Sequence, residues 1–152
     1  MKLKSPLLVV TDMEKSVEFY KTVLGLRVTM DLGANVTLTG GLALQTKKSW
    51  QKFINDDDIV FGGKDAEIYF EEDDFDAFAD KLKSLDIDYV HDVKEHSWGQ
   101  RVVRIYDPDK HIIEVGENMM AVCKRFADEG MTAEQIAERM NVPINFVKRG
   151  MK

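Results

Sequence analysis

Glu114 closes the stretch YDPDKHIIEV, residues Tyr106 to Val115, a tight turn followed by a strand that alternates polar and apolar residues. A carboxylate there can hold a metal ion, take a proton, or face solvent. A second carboxylate, Glu67, opens the run AEIYFEE, and Gln45 and Ser5 complete a set of four polar side chains that an internal repeat makes equivalent in pairs. Glu67, Glu114 and Gln45 offer oxygen donors suited to a hard ion such as Mg²⁺ or Mn²⁺, with water completing the shell. Ser5 is a poor divalent ligand because its hydroxyl stays protonated. Zinc and nickel favour imidazole and thiolate, and the set has neither. The donor types therefore point away from a bound metal (Mn, Mg, Ni or Zn). Without a metal, two carboxylates in one cleft repel each other. Glu114 or Glu67 is then a candidate catalytic base, or a contact for a cationic or polar ligand.

The elements that position these residues repeat. LKSPLLVV reads as a strand, and Thr11 or Asp12 caps a helix whose apolar residues fall at Met13, Val17, Tyr20 and Leu24, with Gly25 as its stop. LRVTMDL, NVTLTG and LALQT read as three strands. After a linker the order restarts: AEIYFEE is a strand, Asp73 or Asp74 caps a helix with Phe75, Phe78, Leu82 and Leu85 on one face, and YVHDVKEH, GQRVVRIYD and HIIEVGE are strands. Asp12 and Asp74 are 62 residues apart, and the same offset pairs Ser5 with Glu67, whereas an offset of 69 pairs Gln45 with Glu114. The fold expected is α+β: two tandem βαβββ modules, about 1–46 and 65–117, joined by a linker at 47–64 and forming a half-open barrel around a cleft. A helical C-terminal extension, 118–152, follows. The linker has one expected helical turn. Its Asp56–Asp58 run reads as a solvated turn, and Trp50 and Phe53 are expected to pack on the barrel edge.

The three histidines are placed by the same pattern. His111 is assigned to the last strand, pointing away from Glu114, and His91 shares a strand face with Tyr89. His96 precedes Trp98 and Gln100 in the segment HSWGQ.

The stretches VVTDMEKSVEFYKTVLGL and SWGQRVVRIYDPDKHIIEV resemble the opening and closing motifs of the vicinal-oxygen-chelate superfamily, the glyoxalase, bleomycin-resistance and extradiol dioxygenase group. The resemblance spans about Lys2 to Glu117. It implies four ligand positions in metal-dependent members, here Ser5, Gln45, Glu67 and Glu114. It also implies that His96, Trp98 and Gln100 rim a ligand pocket. The chain departs from the pattern with Ser5 and Glu67 where histidine is common, and with Lys110 where glycine is usual.

The net charge of −6 argues against non-specific nucleic-acid binding and against an anionic membrane surface, and no apolar run approaches the ~20 residues of a membrane span. One cysteine, Cys123, excludes an intrachain disulfide; it reads as a small core residue, and a reducing cytoplasm fits. In the tail, Thr132 and Gln135 form an expected capping box, and Asn141 and Pro143 break the chain before a second short helix. That order resembles a helix-turn-helix, but the segment from Glu117 carries only +1, so packing on the domain or on a second subunit is expected. The resulting expectation is a glyoxalase-like protein, homodimeric, with a cleft for a small organic molecule and lyase or isomerase chemistry. The alternatives are a drug- or metabolite-sequestering protein and a ligand-responsive regulator using the tail.

Overall fold

Asp12 and Asp74 begin the two helices that the repeat requires. In the computed structural model, which describes residues 1–151, Asp12 accepts the backbone N–H of Lys15 at 3.0 Å and starts α1 (Met13–Leu24). Asp74 accepts that of Ala77 at 3.1 Å and starts α3 (Phe75–Lys83). Each carboxylate satisfies one of the amides that a helix start leaves without a partner.

The chain divides into two units, residues 1–66 with 106–111, and residues 67–105 with 112–152. The first holds β1 (Leu7–Val10), β2 (Val28–Asp31), β3 (Asn35–Leu38), β4 (Ala43–Thr46) and α2 (Lys47–Ile54) beside α1. Its sheet has the order β1-β4-β3-β2, with β1 parallel to β4 and the other pairs antiparallel. The second holds β5 (Glu67–Glu72), β6 (Tyr89–Glu95), β7 (Arg101–Tyr106) and β8 (Ile112–Glu117), in the equivalent order β5-β8-β7-β6, again with the first and last strands parallel. Each is a βαβββ module.

Tyr20 anchors the first unit. It is fully buried, and its hydroxyl donates to Asp107 Oδ2 at 2.8 Å. Burial and the neighbouring Asp107 push the Tyr20 phenol far above its ordinary range, so it stays a donor. Asp107 Oδ1 also accepts the backbone N–H groups of Asp109 and His111 at 3.0 and 2.9 Å, and Asp109 accepts Thr11 Oγ1 at 2.6 Å. The turn at 106–111 is thus tied by buried carboxylates. Lys110 within it has φ of 68°, the left-handed region, which is why glycine suits this position.

Several local expectations change. The first strand begins at Leu7, not Leu3. The linker carries the eight-residue helix α2 instead of one turn, and Phe53 is 70% exposed instead of packed. His111 lies before β8, in the turn, where its Nδ1 bonds Asp107 Oδ2 at 2.8 Å.

The tail belongs to the second unit. It folds as α4 (Met119–Asp128), α5 (Ala133–Met140) and α6 (Ile144–Gly150) around Val122, Cys123, Phe126, Ile136, Met140 and Val147. The capping box at Thr132 and Gln135 forms, and Asn141 takes φ of 53° between α5 and α6. Buried Glu117 fixes the tail to the sheet. Arg101 Nε and Nη2 reach it at 3.1 and 3.0 Å, and Arg125 Nε and Nη2 at 3.2 and 3.0 Å. Burial pushes this carboxyl up, but the bonds from Arg101 and Arg125 outweigh burial and hold it below its usual range.

Glu117→Ala leaves two guanidiniums without their shared acceptor and is expected to lower unfolding free energy by about 3 kcal/mol at pH 7, read by urea denaturation. Because the folded pKa is depressed, Glu117's contribution is complete above about pH 4.5 and is lost as pH falls through the folded value. The gap between wild type and variant should therefore narrow on acidification.

Candidate functional site

Strand alternation in the second unit sets Glu67 and Tyr69 on β5 beside Glu114 and Gly116 on β8, with Tyr69 directly opposite Glu114 in register. The two carboxylates do not face each other unscreened, because Arg104 on β7 stands between them. Its Nε donates to Glu67 Oε2 at 2.7 Å, its Nη2 pairs with Glu114 Oε2, and its Nη1 approaches His91 Nε2 at 3.2 Å. His91 Nδ1 lies 2.7 Å from the Asp92 carbonyl. A neutral ring protonated on Nδ1 satisfies both contacts, donating to the carbonyl and accepting from the guanidinium. Glu114 is buried, with its side chain 8% exposed, whereas that of Glu67 is 37% exposed and forms the outward member of the cluster. With His91 neutral, the group carries one net negative charge.

A second cluster adjoins the first through β5. Gln100 Nε2 donates to Tyr69 Oη and to the Glu117 carbonyl, both at 2.9 Å, and Gln100 Oε1 accepts from Trp98 Nε1 at 3.3 Å. His96 stacks on Trp98, with ring centroids 4.1 Å apart and planes within 16°. Burial, then the charge of Arg104, holds the His96 imidazole below its ordinary value and favours the neutral ring. Gly116 leaves the space this network fills, since a Cβ there would lie 2.8 Å from Gln100 Nε2 and 3.1 Å from Tyr69 Cε2.

Ser5 and Gln45 lie in the first unit and have local tasks. Ser5 Oγ donates to the Gly41 carbonyl at 2.6 Å. Gln45 Oε1 accepts from Asn35 Nδ2 at 2.8 Å, and its Nε2 donates to Ser49. The structure thus brings together Glu67 with Glu114, and His96 with Trp98 and Gln100. Ser5, Gln45 and Glu67 have hydrogen-bond partners, Glu114 is ion-paired with Arg104 although its buried Oε2 makes no hydrogen bond, and the guanidinium occupies the space between the two carboxylates. A donor set so engaged does not fit a divalent ion. Among the described residues no three His, Cys, Asp or Glu side chains are grouped for one.

Arg104 was missed from the sequence, although the repeat held its signal. The offset of 69 that pairs Gln45 with Glu114 also pairs Asn35 with Arg104. Asn35 stands opposite Gln45 in register and bonds to it, as Arg104 pairs with Glu114. The first unit has an amide–amide contact where the second has an ion pair.

A sequence profile of the glyoxalase-like domain matches residues 3–120. The chain belongs to that family. A crystal structure of a protein of unknown function from Agrobacterium tumefaciens is 34% identical, with a TM-score of 0.72 over 78% of this chain and 95% of that one. A member of the glyoxalase/bleomycin resistance protein/dioxygenase superfamily from Sphaerobacter thermophilus is 25% identical, with a TM-score of 0.62 over 78% of this chain and 98% of that one. A lactoylglutathione lyase from Agrobacterium tumefaciens, 24% identical, shares the fold with a TM-score of 0.62 over 77% of this chain and 93% of that one. No curated protein sequence matches the chain. No helix among the described residues is long and apolar enough to cross a membrane.

Arg104→Met is expected to cost about 3 kcal/mol in urea unfolding by stranding buried Glu114, and adding Glu114→Gln should restore most of it. The same Arg104→Met change removes a charge that disfavours protonated His96. The His96 proton resonance should therefore titrate closer to pH 6.5 than in wild type, followed by NMR.

Proposed function

We propose that this glyoxalase-like protein holds a small polar or cationic organic molecule against the Glu67–Arg104–Glu114 face without a metal and without converting it. The observation that carries this reading is the pairing of both carboxylates with Arg104. Neither is left to take a proton from a substrate without first leaving the guanidinium, whereas Glu67 still presents an exposed oxygen edge to a cation or a hydrogen-bond donor. The single net negative charge favours such a ligand electrostatically. Tyr69, with its ring partly exposed, and the His96–Trp98 stack supply apolar and polar contact beside it. We place the protein in a reducing cytoplasm, as a homodimer, with nucleic acid outside its partners.

A second reading draws on Arg104 itself. A guanidinium next to two carboxylates supplies an electrophile for a developing oxyanion, which lyase or isomerase chemistry requires.

Two probes separate the readings. Bleomycin, a cationic compound, tests sequestration, and lactoylglutathione tests the activity named for one structural neighbour. The expected result in calorimetry and chromatography is bleomycin bound and recovered unchanged, with chelator present throughout. Glu67→Gln should weaken that binding about tenfold, or about 1.4 kcal/mol. Turnover of lactoylglutathione would favour the second reading. Binding that appears only when Mn²⁺, Ni²⁺ or Zn²⁺ is added would overturn the metal-free one.

A further inference from the structure

The three-helix tail extends past the family match, which ends at residue 120, yet it lies directly behind the turn that carries His96, Trp98 and Gln100. That turn closes on itself through His96 N–H to the Gln100 carbonyl at 2.9 Å and Gly99 N–H to the His96 carbonyl at 2.8 Å. Gly99 has φ of 89°, and a Cβ built on it would fall 2.1 Å from Phe126 Cζ and 2.5 Å from Cε2. The fully buried Phe126 ring therefore occupies the space that any larger residue at 99 would need. One residue earlier on α4, Arg125 Nη2 donates to the Gly99 carbonyl at 2.6 Å. Arg139 of α5 covers the other surface of the contact, with its guanidinium carbon 4.1 Å from the Phe126 ring centroid and its Nη2 3.0 Å from Glu95 Oε1.

The turn is held from its other side as well, by Gln100 bonded to Tyr69 and to the Glu117 carbonyl. Arg125 also grips the Glu117 carboxylate, so one side chain touches both the turn and the end of β8. Two sets of contacts, joined through Arg125 and Glu117, fix five residues, and one set is supplied wholly by the tail.

We propose that α4 is a positioning element for the ligand face: Arg125 and Phe126 set the 96–100 turn from behind, so that Trp98 and Gln100 are presented in a single geometry. Phe126 and Arg125 touch no ligand and act through Gly99. The proposal rests on the reading that the turn borders the ligand site.

The test uses the full chain with Trp50→Phe, which leaves Trp98 as the sole tryptophan. Arg125→Met and Phe126→Leu should each raise acrylamide quenching of Trp98 at least about twofold while far-UV circular dichroism is kept. Arg125→Lys, which retains a donor, should recover part of the change. Ile136→Val loosens the same tail core without touching the turn and should leave Trp98 unmoved, which a merely structural role would not predict. Should the α4 variants fail to fold, wild-type NMR decides. A nuclear Overhauser contact between the Phe126 ring and Gly99 Hα is expected, and its absence overturns the proposal. Unchanged Trp98 quenching in folded Arg125→Met and Phe126→Leu also overturns it. Altered Trp98 with bleomycin affinity held at the wild-type value would uphold the positioning and remove the turn from the ligand site.

Discussion

Glu117 is a buried carboxylate gripped by two guanidiniums, one from the neighbouring strand and one from the tail. Charge buried this deeply persists only when its partners are fixed in place, so the pair of arginines constrains everything attached to them. Arg101 holds β7 and reaches Asp76 at the start of α3. Arg125 holds α4 and, through the Gly99 carbonyl, the turn before β7. The Glu117 backbone carbonyl receives Gln100. Helix, sheet, tail and the 96–100 turn of the second unit therefore converge on one residue. The family motif places a carboxylate three residues earlier, at Glu114, which has Arg104 as its partner.

The two carboxylates of β8 show how alternation along one strand divides labour. Odd and even positions point to opposite sides of a sheet. Glu114 joins Arg104, Glu67 and His91, whereas Glu117, three residues on, turns toward α4. An arginine on β7 serves each face, Arg104 on one and Arg101 on the other, again three residues apart. The sheet is thus stitched by ion pairs on both sides, with Glu67 as the outward partner on the Arg104 side and Asp76 on the Arg101 side.

Much of this architecture could be read from residue order. Both helix caps, both βαβββ modules and the Thr132 capping box follow from local rules of spacing and hydrogen bonding, and local rules survive folding. The repeat made Ser5 equivalent to Glu67 and Gln45 equivalent to Glu114, and so singled out both carboxylates; that Glu67 and Glu114 share one guanidinium is a tertiary contact. What escaped were contacts set by tertiary neighbours. Arg104 lies 37 residues from Glu67, and nothing in the run RVVRIY says which carboxylates it meets. His111 was drawn out of its strand by Asp107, and α2 formed in a polar stretch whose periodicity is too short to register. The contact of Phe126 with Gly99 joins residues 27 apart through the absence of a side chain, and an absent side chain leaves no pattern.

The correspondence between Asn35–Gln45 and Arg104–Glu114 carries a consequence for how such a chain changes over time. A neutral amide pair and a charged pair occupy equivalent places in duplicated modules. Losing Arg104 first strands buried Glu114 without a counter-charge, the costlier route, whereas losing Glu114 first leaves Arg104 its bonds to Glu67. The two positions are therefore epistatic, and the order of substitution matters: the carboxylate can be given up before the guanidinium at less cost than the reverse.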